Sequence, residues 1–265
     1  MFGVGLIEAI RVSDILANAD EFDSDSDGIS GRPNFVSAGE FVPSTEPGAG
    51  PGPQLGRFSR KAQVSTLLRQ TVEAYHQDMG ITTDFLPIEN TNPQLGGTAA
   101  DVVADPEIPA SDVQQVLAYL RMLAPPAPGE DTESRVRGAE LFASIGCAAC
   151  HVPEFTAGPS PIASIEGRSV KLYSDLLLHD MGTALADDRP DGQADGREWR
   201  TTPLWGLRVM RDFLNGDAFL LHDGRATTVE EAILLHGGEA QSSRVSFDAL
   251  GVEDRSALLD FVRSR

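Results

Sequence analysis

The chain has 265 residues, with 40 acidic and 21 basic side chains and a formal net charge of −19. So acidic a chain is not expected to bind nucleic acid, because phosphate backbones reward clustered Lys and Arg. Its length suits one large domain or two smaller ones, each with a core, and no apolar run approaches the length that spans a bilayer.

In chain order, Met1-Phe2-Gly3-Val4-Gly5 has neither the positive n-region nor the apolar h-region of a secretory signal. Residues 5–18 carry Leu6, Ile7, Ile10, Ile15 and Leu16 near a helical period and predict a helix. Residues 20–58 are rich in Gly, Pro, Ser and Asp and predict extended loop chain. Within them, Asp23-Ser24-Asp25-Ser26-Asp27-Gly28 sets carboxylates at alternating positions before a glycine. Hard oxygens converge on calcium in this pattern, and glycine permits the turn. The twelfth position is Asn34 and not Glu, and Pro33 stops any exiting helix, so an EF-hand is not expected. Asp23, Asp25 and Asp27 are candidate calcium ligands, and a solvated acidic turn is the other reading.

Residues 61–78 predict a second helix, with Val64, Leu67, Leu68, Thr71, Val72 and Tyr75 on one side. Irregular chain follows through Pro106, and Ser111 is the expected N-cap of a helix over 112–123. Pro125-Pro126-Ala127-Pro128-Gly129 is a stiff linker and the best domain boundary. Further helices are predicted over 134–145, near 228–236 and near 252–263, around a loop-rich middle with weak strand signals.

Cys147-Ala148-Ala149-Cys150-His151 contains both cysteines of the chain in the pattern C-x-x-C-H, which reads as a covalent attachment site for c-type haem. The thiols add across the porphyrin vinyl groups, and His151 meets the iron as proximal ligand through a ring nitrogen. A disulfide closing so short a loop gains little chain entropy and leaves His151 unexplained. Structural zinc needs two further ligands from the remaining His and carboxylates. The approach Gly138-Ala139-Glu140-Leu141-Phe142, followed by Gly146, resembles the first helix of a cytochrome c. The expected fold is mainly α: a cytochrome c-like haem domain with long irregular loops, preceded by a partial helical domain. The expected division is 1–124 without a haem motif, the Pro-rich linker 125–131, and a c-type cytochrome haem domain over 132–265.

Longer segments carry a more specific resemblance. They are Tyr173-Ser174-Asp175-Leu176-Leu177-Leu178-His179-Asp180-Met181-Gly182, Arg197-Glu198-Trp199-Arg200-Thr201-Thr202-Pro203-Leu204-Trp205-Gly206, Leu221-His222-Asp223-Gly224-Arg225-Ala226 and Glu230 to Ala240. With GVGLIEAI, DGISGRPN, LGRF–KA and QDMGITT in the first half, they resemble the di-haem oxidoreductase family over nearly the whole chain. That family is related to bacterial di-haem cytochrome c peroxidases and to the di-haem enzyme that matures methylamine dehydrogenase. The resemblance implies two C-x-x-C-H motifs, the first of them upstream of GVGLIEAI, whereas this sequence has one. Either the sequence is part of a longer chain or the chain has lost the haem where substrate would react; on both readings it resembles the family's middle and C-terminal part, with one covalent haem c. Haem is attached to C-x-x-C-H apoproteins on the far side of the bacterial cytoplasmic membrane, so a periplasmic or other extracytoplasmic location is expected, with the export signal outside this sequence.

In the related peroxidases a His-Asp/Asn-Gly element precedes the sixth iron ligand by about 14 residues. Counting from His222 reaches His236, the candidate sixth ligand, with His179 and then Met181 as rivals. A helix-terminal residue hydrogen-bonded near Gly237-Gly238 is the bland reading of His236, and His222 is expected to hold a loop or a propionate. Trp199 is expected to pack on the porphyrin edge, with electron relay as the alternative for Trp199 and Trp205. Arg197, Arg200 and Arg225 are candidate propionate partners, surface solvation being the alternative for each. His76-Gln77-Asp78-Met79-Gly80 echoes His179-Asp180-Met181-Gly182, although five residues are weak grounds for a repeat. Two functions fit: the electron-relay portion of a di-haem, peroxidase-like oxidoreductase served by a small redox protein or other donor, or a stand-alone mono-haem electron carrier without catalysis.

Overall fold

The computed structural model of the chain describes residues 2–95, 102–216 and 218–265. The helix expected over 5–18 forms as two, α1 (Val4–Ala9) and α2 (Val12–Leu16). Ile10 breaks it: its backbone is extended and pairs with Ala157 as an antiparallel bridge. Arg57 satisfies the end of α1, since its Nη1 donates to the carbonyls of Ile7, Glu8 and Ile10 at 3.0, 3.0 and 2.8 Å. These are the carbonyls that a helix terminus leaves unpaired. Burial pushes the Arg57 guanidinium down to about 10, against the Glu8 carboxylate, and it remains a cation.

Helix α3 (Leu67–Glu73) starts at a Thr66 cap whose hydroxyl accepts from the Arg69 amide at 3.1 Å. It begins later than its periodicity suggests because Val64 is drawn into a bridge with Phe58, and it ends in a π-helical turn over Ala74–Asp78. Helix α4 (Ala110–Met122) is capped from outside its own sequence. The Asp84 carboxylate accepts from the Ala110 amide at 2.7 Å, and Ser111 lies inside the first turn. Residues of α1, α3 and α4, among them Ile7, Leu67, Leu68, Val113 and Leu117, build one core. Phe155, Val170, Leu172 and Leu177, from beyond the Pro-rich linker, pack into the same core.

The second core lies where α5 (Glu133–Ser144) crosses α10 (Val252–Arg263), with Leu141 and Phe142 against Leu258, Phe261 and Val262. Gly138 makes the crossing close: a Cβ there would lie 2.2 Å from the Ala257 carbonyl oxygen and 2.6 Å from the Phe261 Cβ. Between these helices come α6 (Cys147–Cys150), α7 (Leu207–Phe213), α8 (Val229–Leu235) and α9 (Gln241–Asp248). Thr132 and Thr228 cap α5 and α8 by accepting from the amides of Arg135 and Glu231 at 3.3 and 3.0 Å. Helices α7 and α9 were not expected. Both are short, α7 has no buried residue, and α9 buries only Phe247.

The strands are antiparallel pairs of two or three residues: β1 (Phe35–Val36) with β2 (Gln54–Leu55), β3 (Phe155–Thr156) with β4 (Ser169–Val170), and β5 (Leu178–Asp180) with β6 (Glu198–Arg200). The last pair sets His179 opposite Trp199. Among the described residues no helix is long and apolar enough to cross a membrane.

Gly138→Ala is expected to lower stability by about 1–3 kcal/mol through overpacking of the α5–α10 crossing. Denaturant unfolding beside a Gly167→Ala control, whose Cβ would have open space although its φ of +75° adds local strain, checks it. The Gly138 variant should lose clearly more.

Candidate functional site

Helix α6 follows directly on α5 through Gly146, whose φ of 89° turns the chain. Cys147 and Cys150 lie three residues apart on one face of this turn, both as free thiols, and His151 is its C-terminal cap. All three line a largely apolar cavity whose wall includes Phe142, Leu258 and Val262 from α5 and α10. Trp199, Arg200, His222 and His236 line it as well, together with His179 and Met181. Residues far apart in sequence thus meet around one space.

The His151 Nδ1–H donates to the Tyr173 carbonyl at 2.9 Å, which fixes the tautomer and leaves Nε2 with its lone pair. His236 is built the same way at the end of α8, its Nδ1–H donating to the Ala232 carbonyl at 2.7 Å. Burial pushes His151 down to about 4 and also lowers His236, so both rings are neutral at pH 7. Two neutral imidazoles with free Nε2 atoms and two thiols one turn apart form a donor set that fits a covalently held porphyrin iron. Zinc fits less well: among the described residues, the clusters whose ligand atoms converge are Asp20/Asp23/Asp25 and Glu89/Asp105/Glu107, and neither contains a cysteine.

His179 is engaged elsewhere. Its Nε2 bonds Asp175 Oδ2 at 2.8 Å and its Nδ1 bonds Glu239 Oε2 at 2.7 Å, so carboxylates occupy both ring nitrogens. Burial disfavours the imidazolium, but its hydrogen bonds to Asp175, Cys150 and Glu239 outweigh it and raise His179 well above its ordinary 6.5. A protonated ring held at both ends offers no lone pair to iron. Glu239 also accepts from the Ser30 amide and hydroxyl and the Asp180 amide at 3.0, 2.6 and 3.0 Å. These bonds, with His179, outweigh its burial and pull it down to about 2. Glu239 lies in the Gly237-Gly238-Glu239 segment that carries the resemblance, but nothing local marks it as a partner of His179.

His222 stacks on Trp199, with ring centroids 3.8 Å apart and planes within 9°. Burial, then the Arg60 charge, pushes His222 down to about 3. The Trp199 indole N–H donates to the Leu185 carbonyl at 3.0 Å, and Lys61 Nζ sits 4.4 Å from its ring. Arg200 donates from Nε to the Ser59 carbonyl at 2.8 Å and from Nη1 to the Thr201 carbonyl, leaving Nη2 without a partner among the described residues. Burial pushes its guanidinium down to about 10. Arg225, expected beside these groups, is not part of the cavity wall. It is exposed and held by Asp223 at 2.5 Å and the Ala184 carbonyl at 2.8 Å. Arg197 is likewise exposed, 3.1 Å from Asp180.

The acidic loop is partly reassigned. Asp23 and Asp25 converge with Asp20, which the alternating pattern does not include. Asp27 turns back to accept from the Ile29 amide at 2.8 Å, and Asp20 accepts from the Ser24 amide at 2.7 Å.

The family model described as "Di-haem oxidoreductase, putative peroxidase" matches residues 1–265. The chain belongs to the di-haem oxidoreductase family, which implies a haem cofactor and a haem-related redox role. Among solved structures, hydrazine synthase of Kuenenia stuttgartiensis, pressurized with 20 bar xenon, aligns at 20% identity with a TM-score of 0.36. That alignment covers 59% of this chain and 55% of the other, so the chain spans about half of its length. No curated protein matches the chain at a significant level.

The Asp175–His179–Glu239 triad sets a pH window. His179, raised above 6.5, contributes stability that is complete below 6.5 and lost as pH rises through its folded value. Glu239, depressed from 4.5 to about 2, contributes stability present above 4.5 and lost as pH falls toward 2. Unfolding free energy should therefore peak between these limits. His179→Gln should flatten the peak and cost about 3–5 kcal/mol, because it strips a buried pair of one partner. A pH series of chemical unfolding measures both effects.

Proposed function

We propose that this chain holds one covalent haem c and acts as the electron-relay portion of a di-haem, peroxidase-like oxidoreductase. In this reading Cys147 and Cys150 carry the thioethers, His151 is the proximal ligand and His236 the sixth. The observation that supports it best is the matched pair of imidazoles, each bonded through Nδ1 to a backbone carbonyl and each lining one cavity. A bound haem supplies one-electron iron chemistry. The chain's own part is to fix both rings, exclude water with an apolar wall and neutralise the propionates. Held by both His151 and His236, a haem would have no position open to substrate and would favour the ferric state, which would suit relay over direct reaction with substrate.

Arg200 Nη2 and His222 are the proposed propionate contacts, and Trp199 packs against the porphyrin edge through its stacked His222. The crossing of α5 with α10 beside α6 supports a cytochrome c-like arrangement over 132–265, joined by the linker to residues 1–124. An extracytoplasmic location and a small redox protein as electron donor complete the reading. Calcium is proposed at Asp20, Asp23 and Asp25, where it would tie down the loop after α2.

Protein made with a haem c maturation system should give one haem per chain by pyridine haemochrome, resistant to acid–acetone extraction. Haem that extracts freely would refute the thioethers. His236→Ala should convert a low-spin site to a high-spin one with a charge-transfer band and faster reaction with peroxide. A low-spin His236→Ala protein would remove His236 from the iron. For calcium, a concentration about 100-fold above Kd should add about 2.7 kcal/mol of stability to the wild type. Asp25→Ala should abolish that gain, and no titration heat with wild type would leave an acidic loop only.

A further inference from the structure

The two thiols of the C-x-x-C-H turn stand in unlike surroundings. Cys150 Sγ lies 3.6 Å from His179 Nδ1, and His179 shares the cavity wall with both thiols. The imidazole cannot swing away. Asp175 and Glu239 hold its two nitrogens, and a Cβ at Gly31 would already lie 3.0 Å from its Cε1. The Asp175 amide in turn donates to the Cys150 carbonyl at 2.9 Å, so the group that orients the ring is also tied to the cysteine it faces. Cys147 has neither an imidazole nor a carboxylate partner, and it packs against the apolar residues of the α5–α10 core. Burial pushes its thiol up to about 12.

From this geometry we propose that His179 is the acid–base catalyst for haem attachment at Cys150, so that this thiol forms its thioether ahead of Cys147. The proposal rests on the haem reading above and adds a role for His179, the cavity histidine to which that reading gives none. In the step, the imidazolium gives its proton to the terminal vinyl carbon while Sγ bonds to the vinyl carbon nearest the ring. The carbon–carbon π bond and the S–H bond break, and the thiol proton returns to the imidazole. Nothing is oxidised or reduced, and His179 ends as it began. A fixed acid–base group of this kind contributes about 10²–10⁴-fold.

The test reconstitutes full-length apoprotein with ferrous haem under reducing conditions, reading thioethers by haemochrome band position and peptide mass. Cys147→Ala, which keeps Cys150, should attach haem about 10²-fold faster than Cys150→Ala. His179→Gln should lose the fast thioether and leave haem tied at Cys147 or untied. It should still bind mesohaem, whose ethyl groups form no thioether, as the wild type does. Equal rates for the two cysteine variants, or wild-type speed at Cys150 in His179→Gln, would overturn the proposal alone. A wild type that forms no thioether would overturn the haem c reading and this step with it. Should His179→Gln lose mesohaem binding as well, the comparison of the cysteine variants decides.

Discussion

Two backbone carbonyls, those of Tyr173 and Ala232, determine what the cavity can do. Each takes the Nδ1–H of a histidine and so fixes which nitrogen keeps its lone pair, the condition for an imidazole to serve as a metal ligand. The Ala232 carbonyl is the ordinary end of α8, one turn before His236. Tyr173 is held at a φ of 55°, and Leu176 nearby at 64°. Left-handed positions of this kind cost about 1–3 kcal/mol each in residues other than glycine and persist only where the surroundings hold them. Here the Ser174 and Asp175 amides bond the Val152 and Cys150 carbonyls, which stitches the strained segment to the C-x-x-C-H turn.

The two cores serve this arrangement. The close crossing of α5 and α10 at Gly138 sets the platform from which α6 projects its thiols and His151. Chain beyond the Pro-rich linker returns to the first core through Leu172 and Leu177, on either side of the strained segment. Arg57, buried at the end of α1, and Arg200, in the cavity wall, are desolvated cations that donate mainly to backbone carbonyls. Removing such a group would leave several carbonyls unpaired at once.

Periodicity and punctuation made the helices with wide apolar faces legible: α4, α5, α8 and α10 lie near their expected positions. The C-x-x-C-H turn and the place of His236 at the end of α8 lie where local spacing puts them. What the sequence hid were relations between distant residues. The break at Ile10 comes from its pairing with Ala157, and the cap of α4 from Asp84. His179 as an imidazolium depends on Asp175 and Glu239 together, and Asp20 joins the acidic cluster only once the loop has folded back. Arg225 lies outside the cavity wall for the opposite reason: its neighbour Asp223 takes it locally. Helix α7 is too short to announce itself and has no buried residue, although Leu207 and Met210 line the cavity.

In the proposed holoprotein His151 and His236 face the same iron. Near-infrared magnetic circular dichroism of the ferric holoprotein tests it directly, because the energy of the ligand-to-metal charge-transfer band identifies the axial pair. A low-spin ferric haem with the band of two neutral imidazoles is the expected result. A histidine–methionine band, or a high-spin spectrum in the wild type, would contradict it.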